Sequence, residues 1–282
     1  MHRVARGFDS TAAAYERGRP DYPQGAVDAL AAALGIDPGT TVVDLGAGTG
    51  KLARLLVATG GRVVAVEPLA GMRAELARVT PSVDVLDGTA QAMPLPTGSA
   101  DAVVAAQAFH WFADEDALAE IHRVLRNGGG LGLVWNVRDV SVPWVARLTE
   151  ILEPCAADDV PRHRRDDWRR VLETTDRFTS LEERHFDHAQ VVDADSIRDR
   201  VGSISFVAVL AETEREAVLD EVAALVAAQP PPVTITYDTR VYWCRARRRP
   251  RSATPCWPGP ERLGVISRGG TPGTRGPCSS AN

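Results

Sequence analysis

A chain of 282 residues, 44% of them hydrophobic, holds enough apolar material for one large α/β domain, and it has no run of about 18 apolar residues to cross a membrane as a helix. The formal net charge of −5 is unevenly spread: residues 245–282 carry eight arginines against one glutamate, which leaves 24 basic against 36 acidic side chains in residues 1–244. An acidic body argues against nucleic acid as the main substrate, because phosphate contacts need basic surface.

The opening residues, MHRVARGFDS, lack the apolar core of a secretory signal. The four cysteines, at 155, 244, 256 and 278, have neither metal-type pairing nor the spacing of a disulfide framework. A reducing cytoplasm is the expected compartment.

In chain order, the first segment is polar and aromatic: Phe8-Asp9, Tyr15-Glu16-Arg17 and Arg19-Pro20-Asp21-Tyr22-Pro23. Residues 12–17 predict one or two helical turns, ended by the prolines. Residues 25–34 predict an apolar helix with Gly35 as its stop. Val42, Val43 and Leu45 form a short apolar run expected of a buried parallel strand. Asp44 interrupts it, glycines follow at 46, 48 and 50, and Leu52 starts a helical pattern. Strand, glycine turn and helix open a doubly wound α/β sheet, which binds ligands at the carboxyl ends of its strands. Glu67 ends the next strand, 62–66, where a carboxylate can accept from both hydroxyls of a ribose. Lys51 is the only lysine, and we read it as compositional.

A third strand, 83–86, ends in Asp87-Gly88-Thr89-Ala90, and a loop covers residues 93–99. The fourth strand, 101–106, runs into Gln107-Ala108-Phe109-His110-Trp111-Phe112. Asp114 caps a helix to Arg126 with Leu118, Ile121, Val124 and Leu125 on its apolar face. Asn127-Gly128-Gly129-Gly130 predicts a turn into a fifth strand, 131–137. Residues 141–161 predict a helix, 162–170 a basic cluster, 178–186 a sixth strand and 212–228 an amphipathic helix. Residues 233–243 alternate and are rich in β-branched and aromatic side chains, as in a last strand. Beyond 246, Arg, Pro, Gly and Ser dominate and disorder is expected.

The stretch D-x-G-x-G-x-G at 44–50, with Glu67 closing the second strand, resembles motif I and the ribose acid of the class I S-adenosylmethionine (SAM) dependent methyltransferases. The phrases F-D…A-x-x-Y-x-x-x-R-P-x-Y-P at the N-terminus, A-x-x-F-H-W-F at 106–112 and E-x-x-R-V-L-R-x-G-G at 120–129 look like those of the type 11 group of small-molecule enzymes. The resemblance covers about residues 5–244. It implies a seven-stranded Rossmann-like sheet, mostly parallel with an antiparallel last strand. It also implies a cap with the first helix at 1–40, a methyltransferase domain at 41–244 and a substrate-lid insertion at about 141–210.

The same resemblance implies the site. Asp44, Gly46, Ala47, Gly48 and Gly50 would hold the methionine end of SAM, with Tyr15, Arg19 and Gln107 nearby. Glu67 would meet the ribose, with Pro68 after it as a further cofactor-binding candidate; Met72, Asp87, Thr89 and Ala90 would meet the adenine. His110 is the catalytic candidate, either as a general base, since its unperturbed pKa is about 6.5, or as a histidine that orders the loop. One of Arg162, Arg164 or Arg165 is a candidate partner for an anionic substrate.

SAM already carries an activated methyl group, so the enzyme has mainly to align the acceptor and exclude water. No metal site is expected, and no HEXXH, CxxC or GxSxG motif is present. The expected reaction is methyl transfer to a small molecule, with a carboxylate or hydroxyl oxygen favoured. N- or C-methylation of a small metabolite, or SAM binding without catalysis, stays open. A nicotinamide enzyme would need the other glycine register, and a nucleic-acid methyltransferase would need a base-flipping pocket. Monomer and homodimer are both compatible with the sequence.

Overall fold

A computed structural model of the chain describes residue 8 and residues 11–157, 160, 161, 163 and 167–248. Two helices, α1 (Ala12–Gly18) and α2 (Gln24–Leu34), open the chain. Strands and helices then alternate: β1 (Thr41–Leu45), α3 (Lys51–Val57), β2 (Arg62–Val66), α4 (Ala70–Val79), β3 (Asp84–Leu86), β4 (Ala100–Ala106), α5 (Glu115–Val124) and β5 (Leu125–Arg138). The second half holds α6 (Pro143–Leu152), α7 (Asp167–Thr174), β6 (Glu182–Val192), α8 (Ala194–Gly202), α9 (Ser205–Ala208), α10 (Glu212–Ala227) and β7 (Val233–Arg245).

The seven strands form one sheet in the order β3-β2-β1-β4-β5-β7-β6. β1 to β5 pair in parallel, and β7 runs antiparallel to both β5 and β6. This is the expected doubly wound sheet with an antiparallel last strand. The order reverses between β1 and β4, which opens a crevice at the carboxyl ends of those strands.

Alternation along β1 decides what lies on each side of the sheet. Val43 and Leu45 face the core built with Leu118, Ile121 and Val124 of α5 and with Trp168 and Leu172 of α7. Val42 faces the opposite core, with Leu30 and Leu34 of α2, Leu52 and Leu56 of α3 and Leu76 of α4. By the same parity Asp44 points to the α3 side. A third core joins α6, α8 and α10 over Ile235 and Tyr237 of β7.

Four boundaries differ from the sequence reading. The sixth strand is displaced to 182–192, while Phe178 only bridges Ala246. This edge strand is mostly polar, so its place is set by eleven paired positions along β7 and not by an apolar pattern. It also runs through the expected 141–210 insertion, which becomes two helical crossovers, α6–α7 and α8–α10. The helix predicted over 141–161 stops at Leu152, ahead of Pro154, because proline supplies no N–H to continue the ladder. The glycines at 128–130 do not form a separate turn. They lie inside β5, where the register with β4 shifts between Ala100 and Ala102 and Gly128 takes φ 82°, as at a bulge.

The ordered chain also continues past 244. Ala246 donates its N–H to the Gly129 carbonyl and Arg247 to the Arg177 carbonyl. The Arg245 guanidinium donates to the Ala33 and Leu34 carbonyls at the end of α2, a favourable place for a cation. The expected disorder of the remainder falls at residues 249–282, outside the described residues. Arg245→Ala should lower stability by about 1–2 kcal/mol in urea unfolding, the usual range for a charged hydrogen-bond group, and leave ligand affinity at the sheet crevice unchanged.

Candidate active site

At the carboxyl end of β1 the chain turns through Gly46, Gly48 and Gly50 with φ of 67°, 57° and 83°. These left-handed values favour glycine. At Gly46 space matters as well, because an added Cβ would lie 2.9 Å from the Cβ of Ala108. The turn is tied to β2: the Gly46 N–H donates to the Val66 carbonyl at 2.8 Å. Glu67, 5% exposed, accepts from the Gly48 N–H and the Leu69 N–H, each at 2.9 Å. Its carboxylate therefore points at the glycine turn.

A cavity of about 150 Å³ opens between them. Gly46, Gly48 and Glu67 form one side, Leu69 and Met72 a second, and Gly88, Thr89 and Ala90 a third. Phe8, Tyr15, Gln107 and Trp111 close it toward a second cavity of about 180 Å³, and line both. The Phe8 ring meets Tyr15 edge-on at 5.8 Å and Trp111 at 6.0 Å, an arrangement aromatic quadrupoles favour.

Gln107 has φ 56°, the only positive value for a non-glycine among the described residues. Such backbone costs on the order of 1 kcal/mol and gathers at functional sites. Here it ends β4, donates its N–H to the Val134 carbonyl, and sends its amide nitrogen to the Asn136 carbonyl at 3.3 Å.

His110 lines the second cavity. It is held by Trp135, which is wholly buried and packs on Trp168 at 4.5 Å. The Trp135 indole N–H donates to Nδ1 of His110 at 3.3 Å. Nδ1 is thus the acceptor, and the neutral ring carries its proton on Nε2. Burial, assisted by His163, lowers the pKa of His110 to about 3.

The opposite wall of this cavity comes from the cap and α8. Arg19 lies over the Tyr15 ring at 4.9 Å and donates to the hydroxyl and carbonyl of Ser203, both at 3.1 Å. Burial and then the neighbouring Arg200 lower its pKa to about 10, so it stays charged near neutrality. Arg200 is 8% exposed, and its Nε donates to the Tyr237 hydroxyl at 3.4 Å. Its Nη1 is buried without a hydrogen-bond partner. Nothing in the local sequence separates Arg200 from Arg198, two positions away, which pairs with Glu216 and Asp220.

The cap is fastened to the glycine turn by charge. Glu16 accepts from the Thr49 hydroxyl and from Arg54, each at 2.6 Å. Lys51, read from sequence as compositional, is buried and bridges Asp21 at 3.1 Å and Glu16 at 3.8 Å.

Of the residues singled out by sequence, Gly46, Gly48, Glu67, Pro68, Met72, Thr89 and Ala90 line the first cavity, Arg19 and His110 the second, and Tyr15 and Gln107 both. Ala47 and Gly50 shape the turn through the hydrogen bond from the Gly50 N–H to the Ala47 carbonyl. Asp87 lies elsewhere: its carboxylate is exposed and pairs with Arg73 at 3.0 Å. Arg162, Arg164 and Arg165 lie outside the described residues. Among the described residues no group of three or more His, Cys, Asp or Glu could hold a metal ion, and no helix is long and apolar enough to cross a membrane.

Asp44 does not line either cavity. It is buried behind the turn, both carboxylate oxygens lacking a hydrogen-bond partner. Burial, then repulsion from Glu67, raises its pKa to about 7; the Ala53 amide opposes the shift without making a hydrogen bond of ordinary geometry. The native state thus holds the extra proton between about pH 3.8 and 7, so this group lowers stability as pH rises through that window. Asp44→Asn should raise the melting temperature more at pH 8 than at pH 5. The difference should be on the order of 2–3 kcal/mol, because about two pH units of that window, from pH 5 to about 7, lie between the two conditions.

Residues 43–133 match the family described as methyltransferase domain. An uncharacterized methyltransferase of Mycobacterium bovis is 40% identical over 227 residues, 80% of this chain and 88% of its own length. An uncharacterized methyltransferase-like protein of Schizosaccharomyces pombe is 37% identical over 220 residues, 77% and 85% of the two chains. Among solved structures, a putative type II methyltransferase from Anaeromyxobacter dehalogenans superposes with a TM-score of 0.58 at 26% identity, covering 82% of this chain and 97% of that one. With a glycine turn facing a strand-end carboxylate at the switch point of the sheet, the chain belongs to the class I SAM-dependent methyltransferases, and its cofactor is SAM.

Proposed function

We propose that the chain methylates a small molecule, at a carboxylate or hydroxyl oxygen. The observation that carries this reading is the pair of cavities with a shared wall. One has the glycine turn and Glu67; the other is a separate cavity lined by Tyr15, Gln107, His110 and Trp111. A cofactor in the first would present its methyl group through the partition to an acceptor in the second.

The residues present fit SAM. The turn keeps side chains out of the space that the amino-acid end would take, and Glu67 is already aimed by two backbone amides. Leu69, Met72 and Ala90 offer the apolar contact an adenine needs. The adenine amino group then falls to the Gly88–Ala90 segment, because Asp87 would first have to leave Arg73. SAM supplies a methyl group on a cationic sulfur, and the S–CH3 bonding pair stays with sulfur when the acceptor oxygen takes the carbon. A carboxylate acceptor loses its charge and releases no proton; a hydroxyl releases one.

His110 serves orientation in this reading. Its Nδ1 lone pair is occupied by Trp135, so Nε2–H is a donor that can hold an acceptor oxygen. A ring with a pKa of about 3 takes up little of any proton released at neutral pH.

Formation of S-adenosylhomocysteine across a panel of small carboxylic acids, alcohols and amines tests the assignment; SAM binding without turnover of any acceptor would overturn it. Glu67→Ala should weaken SAM binding by about 2 kcal/mol or more, as expected for a buried, hydrogen-bonded carboxylate, and unchanged affinity by calorimetry would remove its ribose role. His110→Gln should lower kcat while the pH–rate profile from 5 to 8 keeps the wild-type shape. A limb near pH 6.5 that disappears in the variant would restore the general base.

A further inference from the structure

We propose that Arg19 and Arg200 form an anion clamp: the acceptor carries an oxyanion, a carboxylate or a phosphate, that binds between them and is distinct from the oxygen that is methylated. This deepens the proposed function and rests on the second cavity being the acceptor site.

Three arginines, Arg19, Arg138 and Arg200, line the cavity, and Glu153 is the one carboxylate among the described lining residues. Arg200 is more than nine-tenths buried, forms no ion pair among the described residues, and leaves Nη1 without a partner. Among the described residues Arg19 meets the neutral oxygens of Ser203 and the face of Tyr15. Two like charges on one cavity wall repel, and a buried guanidinium left unpaired is costly. Other arginines of the same helices are paired: Arg17 with Asp199, Arg198 with Glu216 and Asp220. A bound oxyanion would supply the missing acceptor to Arg200 and a charged partner to Arg19, and guanidinium forks match carboxylate and phosphate oxygens well.

The backbone is built to bring the two together. Gly18, the last residue of α1, lies so close to α8 that an added Cβ would stand 2.4 Å from the Arg200 nitrogen and 2.5 Å from the Asp199 carbonyl carbon. Only glycine allows that approach, and it places Arg19 beside Arg200. Ser203 then links them, accepting from Arg19 while its own hydroxyl donates to the Arg200 carbonyl at 2.9 Å. Clamped oxygens are neutralised and make poor nucleophiles, so the methylated oxygen belongs to a second group of the acceptor, nearer the Tyr15–Gln107–Trp111 partition.

The full chain loaded with S-adenosylhomocysteine is titrated by calorimetry with succinate, glycerol phosphate and butane-1,4-diol. The clamp predicts that at least one of the two anions binds and the diol does not; the stronger of the two identifies the oxyanion. Equal binding of the diol, or no anion binding, overturns it. Arg200→Gln should raise KM for the turned-over acceptor about 100-fold, with kcat and SAM affinity within about threefold of wild type. Arg200→Lys should recover part of the loss. The ligand-free Arg200→Gln protein should melt no lower than wild type, because a repelling charge is removed; a supporting structural arginine would give the opposite shift. Gly18→Ala should raise the same KM by separating the pair. An unchanged KM in Arg200→Gln, or a best acceptor with no anionic group, ends the proposal and leaves methyl transfer standing. Absence of turnover with intact anion binding ends the proposed reaction and leaves the clamp.

Discussion

The hydrogen bonds from the Gly48 and Leu69 amides to Glu67 are the constraint around which the site is arranged. They join the first two strand ends of the sheet through one buried carboxylate. The turn leaving β1 must be glycine-rich to present the Gly48 N–H at φ 57°, and Glu67 must end β2 to receive it. Because β1 and β2 pair in register from Thr41 with Arg62 to Leu45 with Val66, the two ends arrive at one level. A cavity floor follows from strand pairing plus one side chain.

The parallel half of this arrangement was legible in the sequence because its signals are local. Apolar runs of strand length, glycines at 46, 48 and 50 and an acid after the second run need no distant partner to be read. The second half resisted for a physical reason. β6 is a polar edge strand whose position comes from β7, some fifty residues later. Lys51 looks incidental until Glu16 and Asp21 fold onto it. Arg200 differs from Arg198 only in what lies opposite each, and those groups are supplied by other elements. Arg162, Arg164 and Arg165, candidates for an anionic substrate because they follow the fifth strand where related enzymes build a lid, lie outside the described residues. Asp87 has the sequence position of a strand-end acid, but Arg73 draws its carboxylate outward.

The N-terminal cap belongs to both cavities at once. Its Glu16 is held by Thr49 and Arg54 next to the glycine turn, while its Gly18 and Arg17 are held by α8. Tyr15, the residue before these anchors, lines both cavities. Side-chain pairs at the surface contribute little individually; Glu16 and Lys51 are mostly enclosed, where a pair is screened less.

Three groups around this crevice are each unfavourable for the ligand-free fold. Asp44 is an unpaired carboxyl behind the turn, Gln107 holds a left-handed backbone at the end of β4, and Arg200 is a buried cation facing a second one. They come from three distant stretches of chain, so no single local defect produces them, and they converge at the carboxyl edge of the sheet. Strain and unmet polar groups concentrate where a ligand completes the environment. Of the three, Gln107 and Arg200 line a cavity that a ligand could complete, whereas Asp44 lies behind the turn and lines neither. Glu67 thus lines one cavity and Arg19 and Arg200 the other, the side on which we propose an anionic acceptor binds. Phe8, Tyr15 and Trp111 line both cavities and stand between the Glu67 side and the arginine side.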